Sequence, residues 1–371
     1  MVDTPNLKVN NTLRWPDRRL TDILDIEHPI IQAPMAGPST PELVAAVSNA
    51  GGLGSLAFAM LNVGQAGDEV ARVRGLTNKG FNVNFFCHQT PVADSIAEAQ
   101  WRSVLGPYYR EFDLDPAAPT PVASRSPFDS AMCDLVVATR PKVVSFHFGL
   151  PERALLERVK AAGSIVLSSA TTVAEARWLE AHGADAIIAQ GYEAGGHRGM
   201  FLTEDLATQV GTLALVPQIV DAVRVPVIAA GGIGDARGIV AALALGAAGV
   251  QLGTAYLRCP EAKISSLHRA ALDRATDDAT ALTNVFTGRP ARGLINRAIR
   301  EIGPISSDAP PFPSAAVAMA PLRSTAEIRG SDDFTPLWSG QAASLGRRMG
   351  ACELTQQLAA DALTKLNRTT N

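Results

Sequence analysis

The chain has 371 residues, 47% of them hydrophobic, and a formal net charge of −3; this supports one large core, or one plus a smaller unit, and argues against nucleic acid or a charged membrane surface as a partner. The four cysteines, Cys87, Cys133, Cys259 and Cys352, are far apart with no CxxC pair, so no zinc ribbon or redox motif is expected, and a reducing compartment is the simplest setting. The first residues lack a basic segment leading into an apolar one, and the longest apolar run, 239–252, is broken by Gly246 and Gly249 and falls short of the roughly 20 residues a bilayer requires. The expectation is a soluble cytoplasmic protein.

Residues 1–20 read as a polar, irregular arm. Pro29-Ile-Ile-Gln-Ala-Pro34 reads as a short buried strand closed by proline. Thr40, Pro41 and Glu42 supply an N-cap, a first helical position and a first-turn acid for a helix over 42–50 that stops at Gly51-Gly52. A strand over 53–57 follows. The unit recurs: Thr172 caps a helix with Glu175 at capping-box spacing, the helix ends at His182-Gly183, and 184–189 is a strand. Asp235 opens a helix that ends at Gly246 before a strand over 249–252. Further strands at 81–86, 142–148, 164–168 and 226–230 bring the total to eight. Helix–glycine–strand units with tight turns predict parallel strands joined by helices, and eight of them predict an α/β TIM (β/α)8 barrel of about 250 residues rather than a doubly wound sheet. Two segments exceed its needs. Residues 87–140 read as an extended crossover with extra helix. Residues 256–335, with helical runs around 265–275 and 315–319, read as a small helical cap inserted after the eighth strand. The expected division is an arm (1–20), a barrel (21–255), a cap (256–335) and a C-terminal segment (336–371) returning to the barrel.

Gln190-Gly-Tyr-Glu-Ala-Gly-Gly-His-Arg-Gly199 surrounds one histidine with glycines at a strand's carboxyl end, where α/β proteins keep their chemistry and where glycine allows close backbone approach. His197 is the candidate catalytic residue; a solvated histidine on a Gly-rich turn is the alternative. His147 ends the fourth strand and would face the same mouth, as a second proton-transfer group or as a packed core histidine. His28, His88, His182 and His268 lie in loop or helix contexts and are read as non-catalytic. Gly232-x-Gly234-x-x-x-Gly238 lacks the spacing and the distant acid of a Rossmann fingerprint. In a barrel, Gly231-Gly232 and Gln251-Leu-Gly-Thr254 occupy the loops after strands seven and eight, where a phosphate is commonly held; two tight turns that need glycine are the alternative. Asn84 within a strand and Gln190 at the end of one offer amides suited to a planar heterocycle, or to neighbouring backbone. No cluster has metal-ligand spacing, and no Gly-x-Ser-x-Gly elbow supports serine hydrolysis.

Gln32-Ala-Pro-Met-Ala36, Ser48-Asn-Ala-Gly-Gly-Leu-Gly54, Asn82-Val-Asn-Phe-Phe86, Ser145-Phe-His-Phe-Gly149, the 191–199 loop, Ala230-Gly-Gly232 and Gln251-Leu-Gly-Thr254 together resemble the nitronate monooxygenase (2-nitropropane dioxygenase) family, and the His-Phe-Gly and Gly-His-Arg-Gly pieces resemble its class I branch. The resemblance runs from about residue 19 to 341. It implies an FMN-dependent barrel that oxidises alkyl nitronates with O2 to carbonyl compounds and nitrite. It also implies FMN contacts at Asn84, Gln190, Gly195, Gly232, Gln251, Leu252, Gly253 and Thr254, extended here to Gly196, Gly231, Ala33, Pro34 and Met35, with His197 as the catalytic histidine. The partners implied are a small nitronate or nitroalkane and O2, with no metal, nucleic acid or membrane; a homo-oligomer stays open. The alternative is an FMN-dependent NAD(P)H oxidoreductase of quinone reductase or enoyl reductase type on the same barrel.

Overall fold

In the computed structural model, which describes residues 14–115 and 125–369, period-two strands close around a filled interior. Residues 1–13 of the expected arm and 116–124 of the expected crossover lie outside the described residues. Eight parallel strands form one sheet: β1 (Ile30–Gln32), β2 (Ser55–Ala57), β3 (Asn82–Phe86), β4 (Val143–His147), β5 (Ile165–Ala170), β6 (Ala186–Gln190), β8 (Val227–Ala230) and β9 (Gly249–Leu252). From β2 to β9 each pairs with the next, and β9 returns to pair with β1. A parallel bridge between Ile31 and Leu53 spans the seam between β1 and β2. The barrel expected from the helix–glycine–strand repeats is therefore present, with a helix in most crossovers.

Side-chain alternation sorts the strands into an outer and an inner face. Val83, Val144, Phe146 and Val166 point outward into the helical layer. At the amino end, Ile31, Leu53, Val143, Leu167, Ala186 and Ile228 point inward and pack on the short helix Arg19–Leu24. Leu20 and Leu24 of that helix are fully buried and plug the barrel floor. Gly249 permits the close fit, since a Cβ there would sit 2.4 Å from Leu20 Cδ2. Higher up, the inward positions turn polar: Asn82, Asn84, Ser145 and Gln190 are buried.

The caps read from the sequence form. Thr40 accepts from the Leu43 N–H and Thr172 from the Glu175 N–H. The second half of the expected capping box differs. The Glu175 carboxylate takes Thr171 N and Oγ1 and the backbone of Phe201 and Leu202, pinning the chain that follows His197. The C-terminal helix Ala351–Thr369 packs between Pro41–Asn49 and Ala236–Ala244, with Leu354, Leu358, Ala359 and Ala362 in the core. It supplies the helix that the last strand otherwise lacks.

Between β9 and that helix, the helices Ser266–Asp273 and Ala315–Ile328 are joined by an antiparallel hairpin, β10 (Thr280–Thr283) and β11 (Ala291–Leu294). Helix Ala315–Ile328 packs on Ser95–Glu111 from the crossover: Trp101 Nε1 donates to the Ala315 carbonyl at 3.1 Å and Tyr109 OH to the Ala318 carbonyl at 2.7 Å. The two segments that exceed a minimal barrel therefore share one apolar cluster. The cap also reaches the barrel loops. β7 (Gly196–His197) lies outside the barrel and pairs with β11, with His197 opposite Ala291.

Candidate active site

Gln190 ends β6, and the following loop is bent back over the mouth by groups that cannot easily be replaced. A Cβ on Gly191 would lie 1.8 Å from Thr212 Oγ1, so the turn needs glycine. Arg198 is completely buried. Its guanidinium donates to the carbonyls of Gly191 (2.6 Å) and Gln190 (2.8 Å) and to Gln209 Oε1 (2.9 Å), which closes the loop on itself. The Gln190 amide bridges the same loop, donating to the His197 carbonyl at 2.9 Å and accepting from the Gly199 N–H at 2.7 Å.

His147 works from below. Its Nε2 donates to the His197 carbonyl at 3.2 Å, so Nδ1 accepts from Ser169 Oγ at 3.1 Å. Burial, with Arg289 and Arg198 nearby, outweighs that carbonyl bond and brings the ring down to about 4, which keeps it neutral. Both nitrogens are occupied by the protein. The two histidines read from the sequence are thus brought together, with His147 under the backbone of His197. The next residue, Phe148, has a φ of 70°, an uncommon conformation for a bulky residue. It lifts its ring into the mouth.

The His197 imidazole is half-buried and edged by Phe86 (6.1 Å between centroids), Phe148 (6.1 Å), Phe312 (5.2 Å) and Trp338 (5.5 Å). Its Nε2 lies 3.0 Å from Thr287 Oγ1, and the Thr287 hydroxyl donates to the Arg289 carbonyl at 3.4 Å. The hydroxyl oxygen therefore takes the imidazole N–H, and the lone pair is left on Nδ1, which has no hydrogen-bond partner among the described residues. Burial first, then Arg125, His147, Arg289 and His88, hold the ring well below its ordinary value of 6.5. His197 is a neutral imidazole with an open acceptor.

The expected cofactor residues divide. Asn84 donates to Ser145 Oγ (2.9 Å) and to the Ser145 carbonyl (3.2 Å), so its N–H groups serve the barrel interior. Gln190 serves the loop. Leu252 turns its side chain into the helical layer and gives its carbonyl to the Ala33 N–H. A Cβ on Gly195 would meet Gly340 N at 2.5 Å, so that glycine answers to the cap backbone. Thr254 Oγ1 accepts from the Gly340 N–H at 2.9 Å. Gln251, Gly196 and Gly253 leave room. Gln251 Oε1 is buried with no partner. Gly196, at a φ of +73°, has nothing within 4 Å of a built Cβ, and Gly253 meets only Ala33 and Met35 at ordinary distances, with Pro34 between those two in the chain. Gly231 and Gly232 adopt φ values of +110° and +70°, and a Cβ on Gly231 would lie 2.9 Å from Ala194 N, so that turn also answers to the 191–199 loop. An orphaned acceptor beside open glycines is compatible with a ring that carries N–H groups. Among the described residues, no group of three or more His, Cys, Asp or Glu could hold a metal ion, and no helix is long and apolar enough to cross a membrane.

Several residues of the mouth carried no reading as site residues. His88 lies two residues past β3, a position at the barrel's carboxyl face that could have flagged it. Its ring meets Phe312 at 4.8 Å, and burial with Arg289 nearby brings it down to about 4. Thr287 and Phe312 come from the cap and Trp338 from the segment just after it, and no local pattern marks them.

The family model described as nitronate monooxygenase matches residues 17–361. The nitronate monooxygenase of Pseudomonas aeruginosa is 45% identical over 346 residues, covering 92% of this chain and 97% of its own. That of Paraburkholderia phytofirmans is 44% identical over 344 residues, covering 92% and 94%. Among solved structures, the nitroalkane oxidase from Streptomyces ansochromogenes superposes with a TM-score of 0.87 at 39% identity, over 95% of this chain and 100% of that one. FabK from Thermotoga maritima superposes with a TM-score of 0.75 at 28% identity, over 96% and 99%. A clamped histidine at the mouth of an eight-stranded barrel, in a chain matched almost end to end by these relatives, belongs to an oxidoreductase, and the chain is a member of the nitronate monooxygenase family.

Proposed function

We propose that the protein oxidises alkyl nitronates, and the nitroalkanes from which they derive, to carbonyl compounds and nitrite at the expense of O2, with FMN as cofactor. The observation that carries the reading is His197: a neutral imidazole with an open Nδ1, set in an aromatic enclosure at the mouth of a barrel whose β9 carries an unpartnered Gln251 carbonyl oxygen. Gln251, Gly196, Gly253, Gly231, Gly232 and Thr254, with Ala33, Pro34 and Met35, would hold the flavin, while Asn84, Gln190 and Gly195 support their neighbourhood. When bound, FMN supplies the electron acceptor that a carbanion-like nitronate needs and that passes electrons on to O2.

The chain's own part is to orient, to exclude water and to move one proton. Nδ1 of His197 accepts the α-proton of a neutral nitroalkane, and its lowered pKa keeps the ring in the proton-accepting form across the physiological range. Thr287 holds the tautomer that leaves Nδ1 free. His147 and Gln190 hold the His197 carbonyl and so the reach of the ring. The rings of Phe86, Phe148, Phe312 and Trp338 keep the enclosure dry, which strengthens every charge effect inside it. A pre-formed nitronate has already lost its proton and needs only to be held.

The test is a nitrite assay under air with a pre-formed nitronate, with and without NADH, on protein whose released cofactor has been identified chromatographically. Nitrite release without NADH from an FMN-containing protein is expected. FAD, or a colourless active protein, overturns the cofactor. A flavin reduced rapidly by anaerobic NADH and untouched by nitronate moves the assignment to the NAD(P)H-dependent branch.

A further inference from the structure

Many arginines of this protein face a carboxylate, as Arg297 does with Glu111 at 2.7 Å and Arg72 with Glu42 at 2.7 Å. Two at the mouth do not. Arg125 Nη1 and Arg289 Nε are buried without a hydrogen-bond partner among the described residues. Among the described residues, the neighbouring charge that acts on Arg125 is another cation, Arg323. Glu204 and Glu175 act on Arg289 from a distance, and the Glu175 carboxylate is already committed to Thr171, Phe201 and Leu202.

Both guanidinium groups lie on the aromatic walls around His197. Arg289 stacks over Phe148 at 4.1 Å and Arg125 lies 5.6 Å from the Phe312 centroid. Those same two rings edge the His197 imidazole. His88 lies between them, 4.8 Å from Phe312 and 6.3 Å from Phe148, with its Nδ1 also unpartnered. His88 is hydrogen-bonded to the Arg125 backbone, which ties that arginine to the enclosure. A buried cation without a counter-charge is costly, and two on one enclosure leave it incomplete without an anion.

We propose that Arg125 and Arg289 are the receptor for the negative charge of the substrate's nitro group. A guanidinium matches a planar O–N–O edge with parallel N–H groups, and aromatic faces hold both side chains in place. The assignment rests on the nitronate reading above and divides the work within it. Negative charge is carried by the arginines, and His197 remains the neutral proton acceptor. As the proton leaves carbon, charge grows on the nitro oxygens, where fixed cations stabilise it.

Inorganic nitrate, planar and unreactive, is the probe. On the FMN-loaded protein, calorimetry should show one nitrate bound per chain, competitive with nitronate in the nitrite assay. Arg289→Met and Arg125→Met should each weaken nitrate by about 10- to 100-fold, the scale of a lost hydrogen bond to a charged group. They should raise the KM for nitronate by a similar factor, with flavin content retained and partial recovery in Arg289→Lys. Nitrate that does not compete in the wild-type protein overturns the proposal without any variant. So do methionine variants that bind nitrate and nitronate as the wild type does. Failure of the nitronate reading is distinct: the wild-type protein would then release no nitrite, whatever its affinity for nitrate.

Discussion

The two ends of the barrel use the same strands to opposite purposes. At the floor, the inward positions are hydrocarbon, closed by Leu20 and Leu24. At the mouth, the same alternation presents Asn84, Ser145, His147 and Gln190, and above them an aromatic enclosure with unpartnered atoms on Arg125, Arg289 and His88. The difference teaches where stability and chemistry reside in this fold. The floor is packed almost wholly with hydrocarbon and keeps only His28 Nδ1 and Asn82 Oδ1 as buried unpartnered polar atoms among the described residues, because nothing there repays their desolvation. The mouth gathers more of them, on Arg125, Arg289 and His88, around the open Nδ1 of His197. The floor can carry the mouth because each strand is rigid and changes character only along its length.

That contrast breaks most strongly at His197. His197→Asn should lower turnover of a neutral nitroalkane by roughly 10²–10⁴, the scale of a lost general base. It should affect a pre-formed nitronate less and leave flavin content unchanged. Normal turnover of both substrates would remove His197 from the chemistry. The complementary change at the floor is Leu24→Ala, which should cost about 2–5 kcal/mol of stability in chemical denaturation and leave the specific activity of the folded protein as it was. A floor variant that loses activity while folded would show that the two ends are coupled.

Gly232→Val places a β-branched residue at a φ of +70°, with the Glu193 Cβ 3.4 Å from its own Cβ. Strain of about 1–3 kcal/mol is expected, read as reduced flavin retention after dialysis. Full retention would remove this turn from the cofactor's seat. Thr287→Val should act more gently. It frees the Nε2 of His197 to compete for the proton and should lower kcat for a neutral nitroalkane several-fold, roughly what one hydrogen bond contributes. Thr287→Ser should restore it, and a serine variant no better than valine would sink the tautomer argument.

The smallest effect is a pH dependence. His147 is brought from 6.5 down to about 4 on folding, first by burial. The unfolded chain therefore binds more protons in that interval. The contribution to stability is complete above pH 6.5 and is lost as pH falls through 4. Thermal midpoints of the wild type should fall with acid over that window, and His147→Gln should flatten part of the slope; His88, His268, His197 and His28, all lowered by burial, contribute to the rest. An identical slope in the variant would mean that His147 is not buried neutral.

Much of this architecture was legible in the chain alone, because its signals are local. Thr40-Pro41-Glu42, Thr172 with Glu175, and glycines directly after helices mark boundaries through contacts within a few residues. Eight such units specify a barrel through periodicity, and the 190–199 loop announced itself by composition. The amides of Asn84 and Gln190 show the limit: their residue types suggested a ligand, and only the folded chain directs their N–H groups to Ser145 and His197. Thr287, 90 positions beyond His197, and Phe312, Trp338 and Arg125, from segments with no pattern of their own, meet the histidine only because β11 pairs with β7 and the cap helix packs on the crossover helix. Sequence by itself determined the barrel and its central histidine. Tertiary structure decided the tautomer, the dryness and the charge around that histidine, since these arise from groups distant in the chain whose meeting no local propensity encodes.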